Sequence, residues 1–236
     1  DPHGGDGMNR IERAVCLIGS AKRKGESTSE ALSSYLMARL NEHGVATTTF
    51  AVHRALRTPD RTAALLDAVD ACDIFVLAFP LYVDTLPSLA TQALETIALR
   101  RSEEFNARRP WFLAIANSGF PEAEHNDVAL AICEQFADIA KMRWAGGLAL
   151  GAGGAVNGGA IRDRSMTHNV ARSLDLTAMA LAADRPAPVD AINLMRRPLM
   201  PERLYLFMGN LGWHRMAQVN RVWRRLGDRP FSTSNP

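Results

Sequence analysis

The sequence predicts an α/β protein in which an open, doubly wound sheet of five parallel strands is covered by helices on both faces. Three observations carry this expectation. Five short runs are almost continuously apolar, as strands buried on both faces are. Longer segments whose apolar residues recur at helical spacing lie between them. The two kinds of segment alternate along the chain, which is the pattern a parallel sheet with crossover helices requires.

Taken in order, "AVCLIG" (Ala14–Gly19) reads as the first buried strand. Ser27 and Glu30 have the S-x-x-E spacing of a capping box, Leu32, Leu36 and Leu40 line one face of the helix that follows, and Gly44 is placed to end it. "ATTTFAV" is a second strand, rich in β-branched residues, and residues 61–71 read as a helix. "DIFVLAFP" is a third strand, stopped by Pro80, and a helix is expected from Pro87 to Arg101. "WFLAIANSGF" is a fourth strand ending in a turn. Val128, Ile132, Phe136 and Ile139 mark the expected buried face of the next helix. "RWAGGLALG" is a fifth strand, and a helix near 165–183 closes the set. Pro186, Pro188, Pro198 and Pro201 then change the texture of the chain. The expected organisation is therefore a cloning remnant over 1–7, one domain over 8–185, and a C-terminal helical extension over 186–236.

Composition excludes several function classes. The 236 residues are 47% hydrophobic with a net charge of +2, which gives no global case for nucleic-acid binding. Cys16, Cys72 and Cys133 are far apart and read as small apolar core residues, with neither a disulfide framework nor a metal pattern. His43, His53, His168 and His214 show no metal-ligand spacing, and no G-x-S-x-G elbow is present. The first thirteen residues contain no apolar signal core, and "WAGGLALGAGGAV" is too short and glycine-broken for a membrane span. A cytoplasmic location is the expectation.

The most informative stretch is "GSAKRKGESTS", Gly19 to Ser29, at the exit of the first strand. Four hydroxyls and three cations there would stand above a helix N-terminus, where unpaired N–H groups favour an anion. A Walker loop does not fit, because five residues separate Gly19 from Gly25 and Glu26 follows. A dinucleotide loop does not fit either, since Ala21 occupies its second glycine. A flavin mononucleotide loop and an ordinary capped helix behind a polar turn both remain open from this stretch alone.

Two further strand exits, "FPLYVDTLPS" and "ANSGFPE", lie on the same edge of the predicted sheet. With the first loop they resemble the NADPH-dependent FMN reductase family over about residues 13–183. The matching residues are Gly19, Ser20 and Lys22 with Ser27 and Thr28; Pro80, Leu81 and Tyr82 with Pro87; and Asn117, Gly119 and Phe120. The resemblance implies a flavodoxin-like fold with strand order 2-1-3-4-5. It implies that Ser20, Lys22, Ser27 and Thr28 bind the FMN phosphate. It places Pro80, Leu81, Tyr82, Val83 and Asp84 along the isoalloxazine, and Asn117, Ser118, Gly119 and Phe120 on its pyrimidine side. Ala21 departs from the proline often found there, and Lys22 replaces a common arginine, keeping charge but losing bidentate geometry.

The resemblance further implies FMN and NAD(P)H as cofactors, with hydride passing through flavin N5 to a quinone, flavin, azo compound or similar small-molecule acceptor. No side chain need act as acid or base; Asp84, Glu122 and His125 are weak candidates. The glycines at 151, 153, 154, 158 and 159 offer close approach to a ligand or a flexible connection. A flavodoxin-like electron carrier and a flavin-free regulatory protein are the alternatives; the near-neutral charge favours an enzyme over a carrier. The extension carries a net +5 against −3 for residues 1–185, with large apolar residues from Leu204 to Trp223. A homodimer built through it is expected, ahead of cover for its own sheet edge or contact with a membrane surface.

Overall fold

The computed structural model of the chain describes residues 10–23, 25–103, 108–156, 161 and 165–228. The expected remnant over 1–7, and Gly158 and Gly159, lie outside the described residues.

Five parallel strands form one sheet in the order β2-β1-β3-β4-β5: β1 (Arg13–Ile18), β2 (Ala46–Ala51), β3 (Ile74–Pro80), β4 (Trp111–Asn117) and β5 (Arg143–Leu150). The predicted fold class is therefore the one observed. β1 and β3 are buried almost throughout, so both of their faces need cover. On one face Val15, Leu17, Phe75, Leu77 and Phe112 pack with α2 (Val52–Ala55), α3 (Pro59–Ala71), α4 (Ser88–Glu103) and α5 (Asp127–Ile139). Phe112 is the centre of that layer, stacked on Phe75 and edge-on to Phe136. The alternate residues of β1, Ala14 and Cys16, face the opposite side. There α1 (Thr28–Glu42) packs on α6 (His168–Ala182).

Two local expectations are corrected. In α5 the buried residues are Ala129, Leu130, Cys133, Phe136 and Ala137, while Val128, Ile132 and Ile139 are exposed. Small Ala and Cys side chains let this helix lie close to the sheet, and Gly147 of β5 leaves the space that Leu130 fills. The wide apolar surface of the helix concealed which stripe faced inward. The capping box is formed on one side only. Ser27 Oγ accepts the Glu30 N–H, but the Glu30 carboxylate accepts the Gly25 N–H at 2.8 Å. Gly25 has φ +83°, a left-handed turn that brings its N–H to the carboxylate.

The segment after α6 closes the β5 edge. The Ala187 N–H donates at 2.8 Å to the carbonyl of Ala145, the residue that a register irregularity leaves without a β4 partner, and α7 (Val189–Met195) packs on β5 and α6. The first compact unit ends at Leu199. The second unit, Met200–Pro236, contains α8 (Glu202–Val219). No described helix is long and apolar enough to cross a membrane.

Candidate functional site at the carboxyl edge of the sheet

β1 has β2 on one side and β3 on the other, so the winding direction reverses at its exit. Open α/β sheets bind ligands at such a point. The chain leaves β1 through Gly19, whose N–H donates to Ala78 O at 2.8 Å. A side chain at Gly19 would meet Phe79 Cβ at 2.9 Å, so glycine is required for β1 to leave this close to β3. Beyond it, Ser20 Oγ accepts the Lys22 N–H at 3.3 Å. Ser20, Ser27, Thr28 and Ser29 are all buried, while Lys22 and Arg23 are exposed at the rim. The result is a hydroxyl-lined floor beneath a helix N-terminus, with cations at its mouth.

The other two predicted loops share this edge. Pro80 and Asn117 are register partners at the ends of β3 and β4, and the Leu81 N–H donates to Asn117 O at 2.8 Å. Asn117 holds the three loops in place. Its Nδ2 donates to Ser29 Oγ at 2.7 Å and to Phe79 O at 2.9 Å. Tyr82, Val83, Asp84 and Thr85 make a tight turn, with the Tyr82 and Thr85 N–H groups donating to each other's carbonyls. Val83 and Asp84, the two central residues, both have positive φ. Valine rarely adopts that conformation, and strained backbone of this kind concentrates at functional sites. Val83 is 96% exposed, with Tyr82 and Phe120 about half exposed.

Contacts that the sequence did not show organise this edge, and Asn126 is the residue it missed. Thr28 Oγ1 donates to Gly153 O at 2.7 Å, drawing the loop after β5 into the site. Asn126, fully buried, donates through Nδ2 to Ser118 Oγ and Ala123 O, and its Oδ1 has no partner among the described residues. Gly151 is needed for packing alone, since a Cβ there would sit 2.2 Å from Pro121 O. Gly153 packs against Asn117 and Ser118, whereas Gly154 faces open space. His125 lies against the Phe120 ring, 4.4 Å between centroids, and 3.6 Å from Glu122. Their pairing across one turn would have been visible only as an i, i+3 spacing.

A cleft of about 740 Å³ opens on the β2 side of the first loop. Ser20, Lys22, Arg23 and Ser27 form one wall; Thr49–Ala51, His53, Arg54 and Arg61 form the other. Among the described residues no cluster of His, Cys, Asp and Glu is arranged to hold a metal. Burial pushes the thiols of Cys16, Cys72 and Cys133 up to about 12, so none offers a nucleophile near neutral pH.

The model of one protein family, NADPH-dependent FMN reductase, matches residues 13–183. The chain belongs to this family. It is an oxidoreductase that uses FMN with a reduced nicotinamide. No curated protein sequence matches it. Solved structures share its fold at low identity. The Trp repressor binding protein from Bacillus subtilis is 13% identical over 69% of this chain and 95% of its own, with a TM-score of 0.52. An FMN-dependent NADH-azoreductase from Bacillus anthracis, in complex with FMN, is 12% identical over 73% of this chain and 100% of its own, at 0.50. An NAD(P)H:quinone oxidoreductase from Methanothermobacter marburgensis is 12% identical over 72% and 99%, also at 0.50. FMN fits the residues present. Buried hydroxyls and exposed cations suit a phosphomonoester, and exposed Tyr82, Val83 and Phe120 are the apolar surface a planar ring would cover.

Proposed function

We propose that this protein passes a hydride from reduced nicotinamide, by way of FMN, to a small organic acceptor such as a quinone, a free flavin or an azo compound. The observation that carries the reading is the meeting of a hydroxyl-lined β1 exit with two loops bearing exposed apolar side chains at the point where the sheet reverses direction. The azo and quinone substrates named for two structural relatives support the acceptor class.

In this reading Ser20, Lys22 and Ser27 hold the FMN phosphate with the N–H groups of the first turn of α1. Thr28 contributes through its backbone, its hydroxyl hydrogen being given to Gly153. Pro80, Leu81, Tyr82, Val83 and Asp84 border one edge of the ring, and Asn117, Ser118, Gly119 and Phe120 the other. Asn117 positions these loops through its bonds to Ser29 and Phe79. Tyr82 and Phe120 shield the ring from water and present an apolar seat to the acceptor. When bound, FMN would supply the redox chemistry between the nicotinamide and the acceptor, held and oriented by these residues. The reading also takes in a cytoplasmic location and a homodimer joined through the second unit.

The test is the absorbance spectrum of purified protein titrated with FMN and then NADPH. Oxidised-flavin bands should appear, bleach with NADPH and return with a quinone or azo dye. Protein that takes up no FMN overturns the reading. Protein that holds FMN but leaves NADPH unoxidised is an electron carrier.

A further inference from the structure

The cleft on the β2 side of the first loop carries more positive charge than FMN has need of. Four permanent cations, Lys22, Arg23, Arg54 and Arg61, line it with His53. Glu30 is the one carboxylate in its lining, and that carboxylate already accepts the Gly25 N–H. Glu26 and Asp60, adjacent in sequence to the loop and to α3, are not part of the wall. None of the four cations is ion-paired with a described residue, whereas Arg100, Arg101, Arg108, Arg143 and Arg196 all are. The floor is polar as well, with the buried Ser20 and Ser27 hydroxyls on one side and Thr49 on the other.

An FMN phosphate is a single group of about −2 charge. Lys22 and the N-terminus of α1 answer it, which leaves Arg23, Arg54 and Arg61 unassigned. The residues proposed to border the flavin ring, 80–84 and 117–120, take no part in lining the cleft. They stand on the β3 and β4 side of β1, and the cleft stands on the β2 side. The two regions meet at the β1 exit. From β2 to a point between β3 and β4 is about 12 Å at the usual strand spacing of roughly 4.8 Å, a distance an extended dinucleotide spans.

We propose that the cleft binds the phosphorylated adenosine half of NADPH, with Arg54 and Arg61 receiving the 2′-phosphate and Arg23 the pyrophosphate. This rests on the function proposed above and adds to it a site and a basis for choosing NADPH over NADH. Arginine suits the task, since its planar fork engages phosphate oxygens in pairs. Arg54 lies in α2, directly after β2, and Arg61 in the first turn of α3. The short α2 and the Thr58 cap of α3 thus bring two arginines seven positions apart to one wall.

The experiment compares the wild-type flavoprotein with R54Q/R61Q, both exposed positions whose side chains form no ion pair with a described residue. Steady-state KM is measured for NADPH and for NADH, and FMN and adenosine 2′,5′-bisphosphate binding by calorimetry. The expected result is a KM for NADPH raised about tenfold or more, with the KM for NADH and the FMN affinity unchanged and the bisphosphate affinity lowered in parallel. Equal losses for NADPH and NADH, or an unchanged KM for NADPH, overturn the assignment. So does a fall in FMN affinity of the same size, which would make the arginines part of the flavin phosphate site. If the wild type oxidises no dinucleotide, the proposed function fails by itself. Bisphosphate binding then still decides for or against the cleft.

Discussion

Thr28 donates its hydroxyl hydrogen to Gly153 O across 2.7 Å, joining the start of α1 to the loop after β5. Both residues are buried, and a Thr28→Val variant would leave the carbonyl with the Val156 N–H as its remaining donor. Losing one such hydrogen bond costs about 0.5–1.5 kcal/mol. The variant should lose that much stability in urea titrations and bind FMN and riboflavin with the same proportional loss. Ser20→Ala, by contrast, should weaken FMN about tenfold and spare riboflavin, which has no phosphate. A Thr28 variant that loses FMN selectively would make its hydroxyl a phosphate ligand.

The Val83–Asp84 turn predicts a trade of stability against function. Both residues have positive φ, a pairing that tight two-residue turns usually meet with Asn-Gly. Val83→Gly relieves the strain and should raise stability by about 1 kcal/mol. It also removes the most exposed apolar side chain beside the proposed ring site. A higher Tm together with a higher KM for the acceptor is expected, measured by thermal unfolding and quinone titration. A variant with unchanged acceptor kinetics would remove Val83 from the acceptor seat.

How much of this was legible in the sequence follows from which interactions are local. The strands could be read because β3, for example, is apolar at nearly every position, and only a strand buried on both faces requires that. The Ser27 cap is likewise short-range and carries its own signature. The hidden parts depend on residues far apart in the chain. Nothing near Asn117 announces that its amide will bridge Ser29 and Phe79, and nothing near Thr28 points to Gly153. The inward face of α5 was obscured for a related reason: the space for Leu130 is set by Gly147 on another element. The β2-side cleft draws its charge from α2 and α3, whose arginines look in sequence like ordinary solvated residues.

The three cysteines set an alkaline limit. Burial holds each thiol at about 12, above the ordinary value of 9.0. Below about 9 all three are protonated in folded and unfolded chains alike, and they impose no penalty on the folded state. Between 9 and about 12 the unfolded chain releases protons that the folded chain retains, so stability falls as pH rises through that window. The native protein should also leave a thiol-specific disulfide reagent unreacted near pH 8 and consume three equivalents once denatured. Rapid reaction of the native protein would show that one of these side chains is accessible.

Arg101 is the buried cation on which the lower end of the sheet depends. Its Nε donates to Ala140 O at 2.7 Å, and its two terminal nitrogens donate to Asp70 Oδ1 and Arg108 O. One side chain thus ties the ends of α4 and α5 to α3 and to the segment entering β4. Removing one partner of a buried pair costs about 3–5 kcal/mol. Arg101→Met should lose about that much in denaturant titrations, with FMN affinity unchanged in the fraction that stays folded because the carboxyl edge is at the other end of the strands. A loss under 1 kcal/mol would show that water replaces these bonds at little cost.

The apolar surface of α8 predicts an association. Phe207, Trp213 and Val219 are 65%, 69% and 76% exposed, and at 3.6 residues per turn they lie about 120° apart. The helix therefore presents large apolar groups on three sides, and Ala217 is its one buried residue. Helices apolar all round are normally enclosed, and exposed patches of this extent are normally covered. A second copy of the chain offers an identical apolar helix, which suits an isologous pair. The full-length protein should then be dimeric at micromolar concentration by light scattering. Phe207→Glu with Trp213→Glu should shift it toward monomer, since burying two carboxylates in such an interface is strongly unfavourable. The same variant should keep its FMN affinity if the flavin site is complete within one chain, and lose it if the partner contributes to that site. A wild type that is monomeric in solution but sediments with vesicles of anionic lipid would assign the helix to a membrane surface, where its Arg203 and Arg215, with Arg221, Arg224 and Arg225 just beyond it, would face the headgroups.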